Sequence, residues 1–325
     1  MPRIRLLAAA LLAAAGFAGS AHATTAPSKP TKGVVIVTTN LAYQNANAAG
    51  TGIVLTKTGE VMTNNHVIRG ATTIMVIVPG SGRRYSASVI GYDIADDVAL
   101  IKMNGAAGLV VATRGNSAKL KLGAVTTAVG NANGGGKLVI TKGRITGLNR
   151  TITVNDDQGG RSQLGGLIET SARLVPGDSG GPLLDGAGRV IGMDAAGSAT
   201  FAFESSDGYA IPINKAITLV KQMEVGKAST LVHIGKTAFL GMNVADADAG
   251  GVAVESVVAG LPAANAGIAK GDVLTALDST PVNDTDGLRA ALFTHHPGDT
   301  VTVYFTDVVG NQTSAQVTLA DGPPQ

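Results

Sequence analysis

The sequence predicts a mainly β chain, with closed antiparallel barrels first and a smaller unit of mixed α and β structure after them. Three observations carry that prediction. From residue 33 to residue 211, short β-branched runs alternate with clusters of Gly, Asn, Ser and Asp, and helical spacing is almost absent. Just after Pro212 the apolar period becomes helical. From about residue 236, strand-like and helix-like stretches mix. A length of 325 residues suits two domains with sizeable cores.

At the start of the chain, Arg3 and Arg5 precede the apolar run Leu6 to Ala15, and Ala21-His22-Ala23 follows. That charged, apolar, small-residue order is the pattern of a secretory signal, so residues 1–23 are expected to be removed after Ala23. The destination implied is secreted, or the cell envelope or periplasm. The apolar run is shorter than the roughly 20 residues of a bilayer span, which makes an uncleaved membrane anchor the lesser reading. Residues 24–32 read as a flexible lead-in to a first domain over 33–224.

Within that domain, strands are expected at 33–39, 74–78, 85–91, 98–103, 125–129, 138–141 and 190–193. The loop Gly130-Asn131-Ala132-Asn133-Gly134-Gly135-Gly136 reads as too rich in glycine to pack, and 155–166 reads as a surface loop. Ile213, Ile217 and Val220 share one face of a terminal helix, with Lys215 and Lys221 pointing elsewhere. Residues 225–235 form the expected linker, 236–321 the second domain and 322–325 a tail. In the second domain, Leu261 to Ile268 and Lys270 to Leu274 fit a short helix, a glycine stop and a strand. A helix near 286–294 puts Leu288 and Leu292 on one face.

Composition excludes several function classes. With 15% charged and 45% hydrophobic residues the chain is neither disordered nor a coiled coil. The net charge is only +2, and Arg3 and Arg5 account for it, so no nucleic-acid or anionic-membrane partner is expected. Cysteine is absent, which excludes thiol nucleophiles, thiolate zinc sites and redox switching. The 130–136 loop lacks the Lys-Ser/Thr ending and following helix of a phosphate cradle. The pair His295-His296 lacks a nearby third ligand, so neither a metal nor a cofactor is expected.

The chemistry concentrates at Pro176-Gly177-Asp178-Ser179-Gly180-Gly181-Pro182-Leu183. A nucleophilic serine must project from a tight turn whose backbone N–H groups face the carbonyl oxygen under attack. Ser179 stands in such a turn, and the Gly177 and Ser179 amides are the candidate oxyanion donors. Upstream, His66 lies in Val61 to Ile68 at a strand end, and Asp97 lies just before the apolar run Val98-Ala99-Leu100-Ile101. The order His, Asp, Ser is one of the orders in which a catalytic triad is built, with histidine as proton carrier and aspartate orienting it. Asp96 is the rival carboxylate, expected to face solvent, and Asp93 reads as a turn residue. His233 reads as a packing residue in the linker.

Taken together, Gly50-Thr51-Gly52-Ile53-Val54-Leu55, Thr63-Asn64-Asn65-His66-Val67-Ile68, Asp97-Val98-Ala99-Leu100, the serine turn and Gly208-Tyr209-Ala210-Ile211-Pro212-Ile213 resemble the HtrA (Deg) family of trypsin-fold serine proteases with a PDZ domain. The resemblance covers nearly all of the chain after residue 32. It implies a chymotrypsin-like double antiparallel β-barrel, with His66 and Asp97 on the first barrel and Ser179 on the second, followed by an α+β PDZ domain. Phe239-Leu240-Gly241-Met242 resembles the PDZ loop that cups a peptide carboxylate, and Met242-Asn243-Val244 would offer a strand edge to C-terminal or extended peptides. Leu288 and Leu292 would line that peptide groove. The family further implies unfolded or damaged proteins as substrates, and a homo-oligomer, a trimer in many members. The alternative function is a peptide-binding or holdase protein whose protease site is resting or inactive.

Some residues depart from the family pattern. Arg173 stands where the family usually has small or apolar residues, and Asp194 and Ala195 stand where Asn and Thr are usual. Those positions resemble walls of the pocket for the residue before the cut bond. Arg173 could narrow that pocket, pair with Asp194 or point away. Asp178 replaces an Asn common in the family.

Overall fold

A computed structural model describes residues 30–155, 161–195 and 208–325. The expected signal, residues 1–23, and most of the lead-in lie outside the described residues, as do 156–160 of the expected 155–166 loop; the rest of that stretch is strand, Asn155 ending one and 161–166 opening the next.

Six strands form the first barrel: β1 (Val34–Leu41), β2 (Ala46–Val54), β3 (Glu60–Thr63), β4 (Thr73–Ile77), β5 (Arg84–Asp93) and β6 (Val98–Met103). They run in the order β5-β4-β1-β2-β3-β6, and pairing of β5 with β6 closes the ring. Burial explains why these segments are strands. Val34 to Val37 and Val98 to Ile101 are continuous buried β-branched and apolar runs, whereas Thr73 to Val76 alternate out and in. One helical turn, α1 (Asn65–Ile68), leaves the end of β3.

The second barrel closes in the order β10-β11-β12-β9-β8-β7. Its strands are β7 (Val125–Gly130), β8 (Val139–Asn155), β9 (Arg161–Thr170), β10 (Pro182–Asp185), β11 (Val190–Asp194) and β12 (Gly208–Pro212). Helix α2 (Ile213–Glu224) follows β12 directly. It buries Ile213, Ala216, Val220 and Met223, with Ile217 partly buried. These side chains share one core with Val34 and Leu100 of the first barrel and Val129 and Met193 of the second. Burying each larger aliphatic side chain contributes roughly 1.5–3 kcal/mol, so α2 clamps the seam between the barrels.

The linker expectation needs correction. Val232–Ile234 form β13, which pairs with Gly91 to Asp93 of β5 and adds a strand to the first barrel. His233 packs as expected, but in a buried cluster. Its ring lies 5.1 Å from that of Tyr92 and 5.2 Å from that of Phe293.

The second domain begins with β14 (Thr237–Phe239). A sheet in the order β15-β16-β17-β19-β20 follows, built from β15 (Met242–Asp246), β16 (Val252–Val257), β17 (Val273–Leu277), β19 (Thr300–Thr306) and β20 (Gln312–Thr318); β18 (Thr280–Pro281) pairs with β17. Helices α3 (Pro262–Asn265) and α4 (Thr285–Phe293) pack with it, and β21 (Ala320–Gly322) pairs with β14. Leu288 and Leu292 are buried in this domain's core. The tail is also not free chain: Gly322 lies within β21, and Pro324 is buried.

Candidate active site

The histidine and its carboxylate meet on the first barrel. Helix α1 holds His66 at the end of β3, while the turn between β5 and β6 presents Asp97. The His66 Nδ1 lies 2.7 Å from Asp97 Oδ2, and the His66 backbone N–H donates to Oδ1 at 2.9 Å. Both carboxylate oxygens are therefore engaged by one residue, which fixes the imidazole plane and makes Nδ1–H the donating tautomer. Asp97 adopts a left-handed conformation, φ 52°, which Asp tolerates better than most residues. The buried Asn64 side chain holds that strained turn, its Nδ2 donating to the Asp97 carbonyl at 2.9 Å.

The rival carboxylate is engaged elsewhere. Asp96 Oδ1 is 2.6 Å from Lys215 Nζ on α2, so it anchors that helix instead of simply facing solvent. Asp93, expected in a turn, is buried at the end of β5, accepts the Asp96 N–H at 2.8 Å, and is pushed up to about 6 chiefly by burial.

Ser179 is buried in the turn before β10 on the second barrel. Two glycines give this turn its shape. Gly177 has φ 95° and Gly180 φ 82°; a Cβ at Gly177 would collide with the Asn131 carbonyl, and one at Gly180 with the Thr51 carbonyl. The start of the 130–136 loop consequently packs, contrary to the expectation from its composition, while Asn133 to Gly136 are exposed. Asn131 is fully buried, and the Asn133 N–H donates to the Pro176 carbonyl at 2.6 Å. In a trans peptide the C=O and N–H point in opposite directions. Holding the Pro176 carbonyl on Asn133 therefore turns the Gly177 N–H away from that loop. The Gly177 carbonyl accepts from the Thr51 hydroxyl at 2.7 Å.

Thr51 is the joint between the two halves. Its N–H donates to the Ser179 carbonyl at 2.8 Å, and its Oγ1 accepts from the Asn131 N–H at 2.9 Å. Its carbonyl accepts from the Thr63 hydroxyl at 2.7 Å, three residues before His66. Strand β2 of the first barrel is thus bonded both to the serine turn and to the strand that delivers the histidine. Sequence reasoning passed over Thr51 and Asn64. The only signal was that both lie inside the motifs 50–55 and 63–68 that carry the family resemblance.

Behind the serine turn lie two buried acids. Asp178 Oδ2 accepts the Val175 N–H at 3.0 Å, and burial pushes its carboxyl up to about 6. Asp194 is wholly buried, and neither carboxylate oxygen has a hydrogen-bond partner among the described residues. Burial raises it well above the usual carboxylate range, and the Asp178 charge adds to that. Arg173 is exposed and does not pair with Asp194, which removes one of its three expected roles.

In the second domain, the loop 239–242 leads from β14 into β15, whose outer edge carries no strand. Leu240 is buried, Gly241 has φ 80°, and Phe239 stacks near Tyr43 of the first barrel at 5.2 Å. Among the described residues no group of three His, Cys, Asp or Glu side chains could hold a metal; His295 sits 3.8 Å from Asp278 and 3.7 Å from Asp299.

Comparison with known proteins agrees with this arrangement. Residues 50–193 match the trypsin-like peptidase domain family, and residues 238–313 match the PDZ domain family. Over 304 residues the chain is 34% identical to the serine protease PepD of Mycobacterium tuberculosis, an alignment covering 88% of this chain but 63%, less than two thirds, of PepD. It is 33% identical over 293 residues to the serine protease Do-like HtrA of Lactococcus lactis, covering 84% of this chain and 71% of that one. Among solved structures, the HtrA-type protease AlgW with a tripeptide superimposes with a TM-score of 0.51 at 25% identity, over 91% of this chain and 97% of AlgW. The chain belongs to the HtrA family of serine endopeptidases, with a trypsin-like domain followed by a PDZ domain.

Proposed function

We propose that this protein is an exported endopeptidase that cuts unfolded or damaged proteins through an acyl-enzyme. In this reading, Ser179 attacks the scissile carbonyl while His66 takes its proton and later returns it to the leaving amine. Asp97 keeps the imidazole in the required tautomer and stabilises the imidazolium. The Gly177 and Ser179 N–H groups receive the oxyanion. The observation that carries the proposal is the two-point grip of Asp97 on His66, in a frame that Thr51 bonds to the serine turn.

Export rests on the pattern of residues 1–23, and the preference for unfolded substrate rests on the family. The PDZ loop 239–242 and the open edge of β15 support a role in gripping C-terminal or extended segments. The test is cleavage of fluorescein-labelled casein by the full chain and by Ser179→Ala. Cleavage by the wild type alone is expected, and equal cleavage by both would remove the assignment.

A further inference from the structure

We propose that residues 322–325 are a strap tying the PDZ peptide loop to the turn that carries His66, with Asn65 as the positioning residue at its protease end. The inference rests on the catalytic reading of His66 given above.

The strap starts beside the peptide loop. Strand β21 pairs with β14 in the register Thr237 with Gly322, Ala238 with Asp321 and Phe239 with Ala320. Phe239 is both the last residue of β14 and the first of the loop 239–242. Two prolines come next, and their fixed φ makes Pro323-Pro324 a stiff segment without N–H donors. What this segment and Gln325 offer the protease domain is main-chain oxygens, and two of them are taken. The Pro324 carbonyl accepts the Gly70 N–H at 2.8 Å, and Asn65 Nδ2 donates to the main-chain oxygen of Gln325 at 2.8 Å. Beside this contact, the Tyr92 phenol oxygen lies 3.1 Å from the Thr237 hydroxyl of β14.

These contacts grip both ends of one short element. Asn65 opens α1, His66 follows it, and Gly70 lies just past the end of that turn. The Asn65 side chain is buried and belongs to the residue next to the imidazole. A second attachment restrains the same domain. His233 of β13 has Nδ1 3.2 Å from the Phe293 carbonyl at the end of α4, and Nε2 3.0 Å from the Lys236 carbonyl. The PDZ domain is thus held on the histidine-bearing barrel both at β13 and at 322–325, and the second of these is continuous with its peptide loop. Displacing the loop moves β14, β14 carries β21, and β21 leads directly to the contacts around α1.

A positioning role alters turnover more than substrate capture, and it makes the two ends of the strap act as one unit. Fluorescein-casein hydrolysis would be measured with the full chain, Asn65→Ala, a chain lacking residues 323–325, and the combination. Each single change is expected to lower kcat about five- to tenfold with KM altered less than twofold. The combination should be no worse than either change alone, because both cut the same connection. Pro324→Gly keeps the carbonyl while loosening the strap; it supplies a milder loss if either other variant fails to fold by circular dichroism. Unchanged kcat in the folded variants, or losses that multiply in the combination, would overturn the strap. Absence of Ser179-dependent cleavage in the unaltered chain would instead overturn the catalytic reading.

Discussion

Two carboxylates buried near the same serine turn have opposite surroundings. Asp97 has each of its oxygens bonded to His66, whereas Asp194 has neither oxygen bonded to any described residue. Burial alone disfavours a charged carboxylate; donors aimed at it restore the charge. Asp97 is therefore oriented by two donors from one residue, whereas burial without donors favours the protonated form of Asp194. The contrast shows that depth in the fold does not decide what an acid does. The direction of the neighbouring N–H groups does.

The largest effect expected from breaking this comparison is at the paired acid. Asp97→Asn keeps the shape but favours the wrong imidazole tautomer, and kcat for casein should fall roughly 10³–10⁴-fold with little change in thermal stability. Next comes the joint that lets the two barrels share a site. Thr51→Val removes the hydroxyl that donates to the Gly177 carbonyl and accepts from Asn131, while keeping the volume. Leaving those buried groups without a partner should cost about 1–3 kcal/mol each in denaturant melts. A casein kcat about tenfold lower should accompany that loss.

The unpaired acid predicts an effect of opposite sign. A carboxyl raised by folding binds its proton more tightly in the native state, so stability is lost as pH rises from the ordinary carboxylate range through the raised value. Asp178, near 6, contributes in that window, and its ionisation further hinders that of Asp194. Asp194→Asn should raise the melting temperature at pH 8 by a few degrees, an effect that fades towards pH 4. Equal gains at both pH values would show that packing, not the proton, is responsible. The smallest effect belongs to Asp96→Asn, which cuts a half-exposed ion pair with Lys215 and should cost no more than about 1 kcal/mol with casein cleavage intact.

The residues of the proposed triad were legible because their signals are local. A glycine-framed serine, a histidine at a strand end and an aspartate before an apolar run can each be read from a few neighbours, and the helix after Pro212 follows from its spacing. What could not be read depends on contacts across long stretches of chain. Thr51 is one threonine among many until strand β2 meets a turn 126 residues away. Asn131 looks like part of an unpackable loop until Gly177 makes room for its backbone. Three residues at 232–234 are too short a run to announce a strand, and Pro323-Pro324 read as loose chain because carbonyl oxygens leave no trace in composition.

The central claim is that Ser179, activated through His66 and Asp97, is the nucleophile. Reaction of the intact protein with a fluorophosphonate, followed by mass spectrometry of its peptides, reads that directly. The adduct should form on Ser179 in the unaltered chain and be largely lost in His66→Ala. An adduct on another residue, or undiminished modification of Ser179 without the imidazole, would contradict the account.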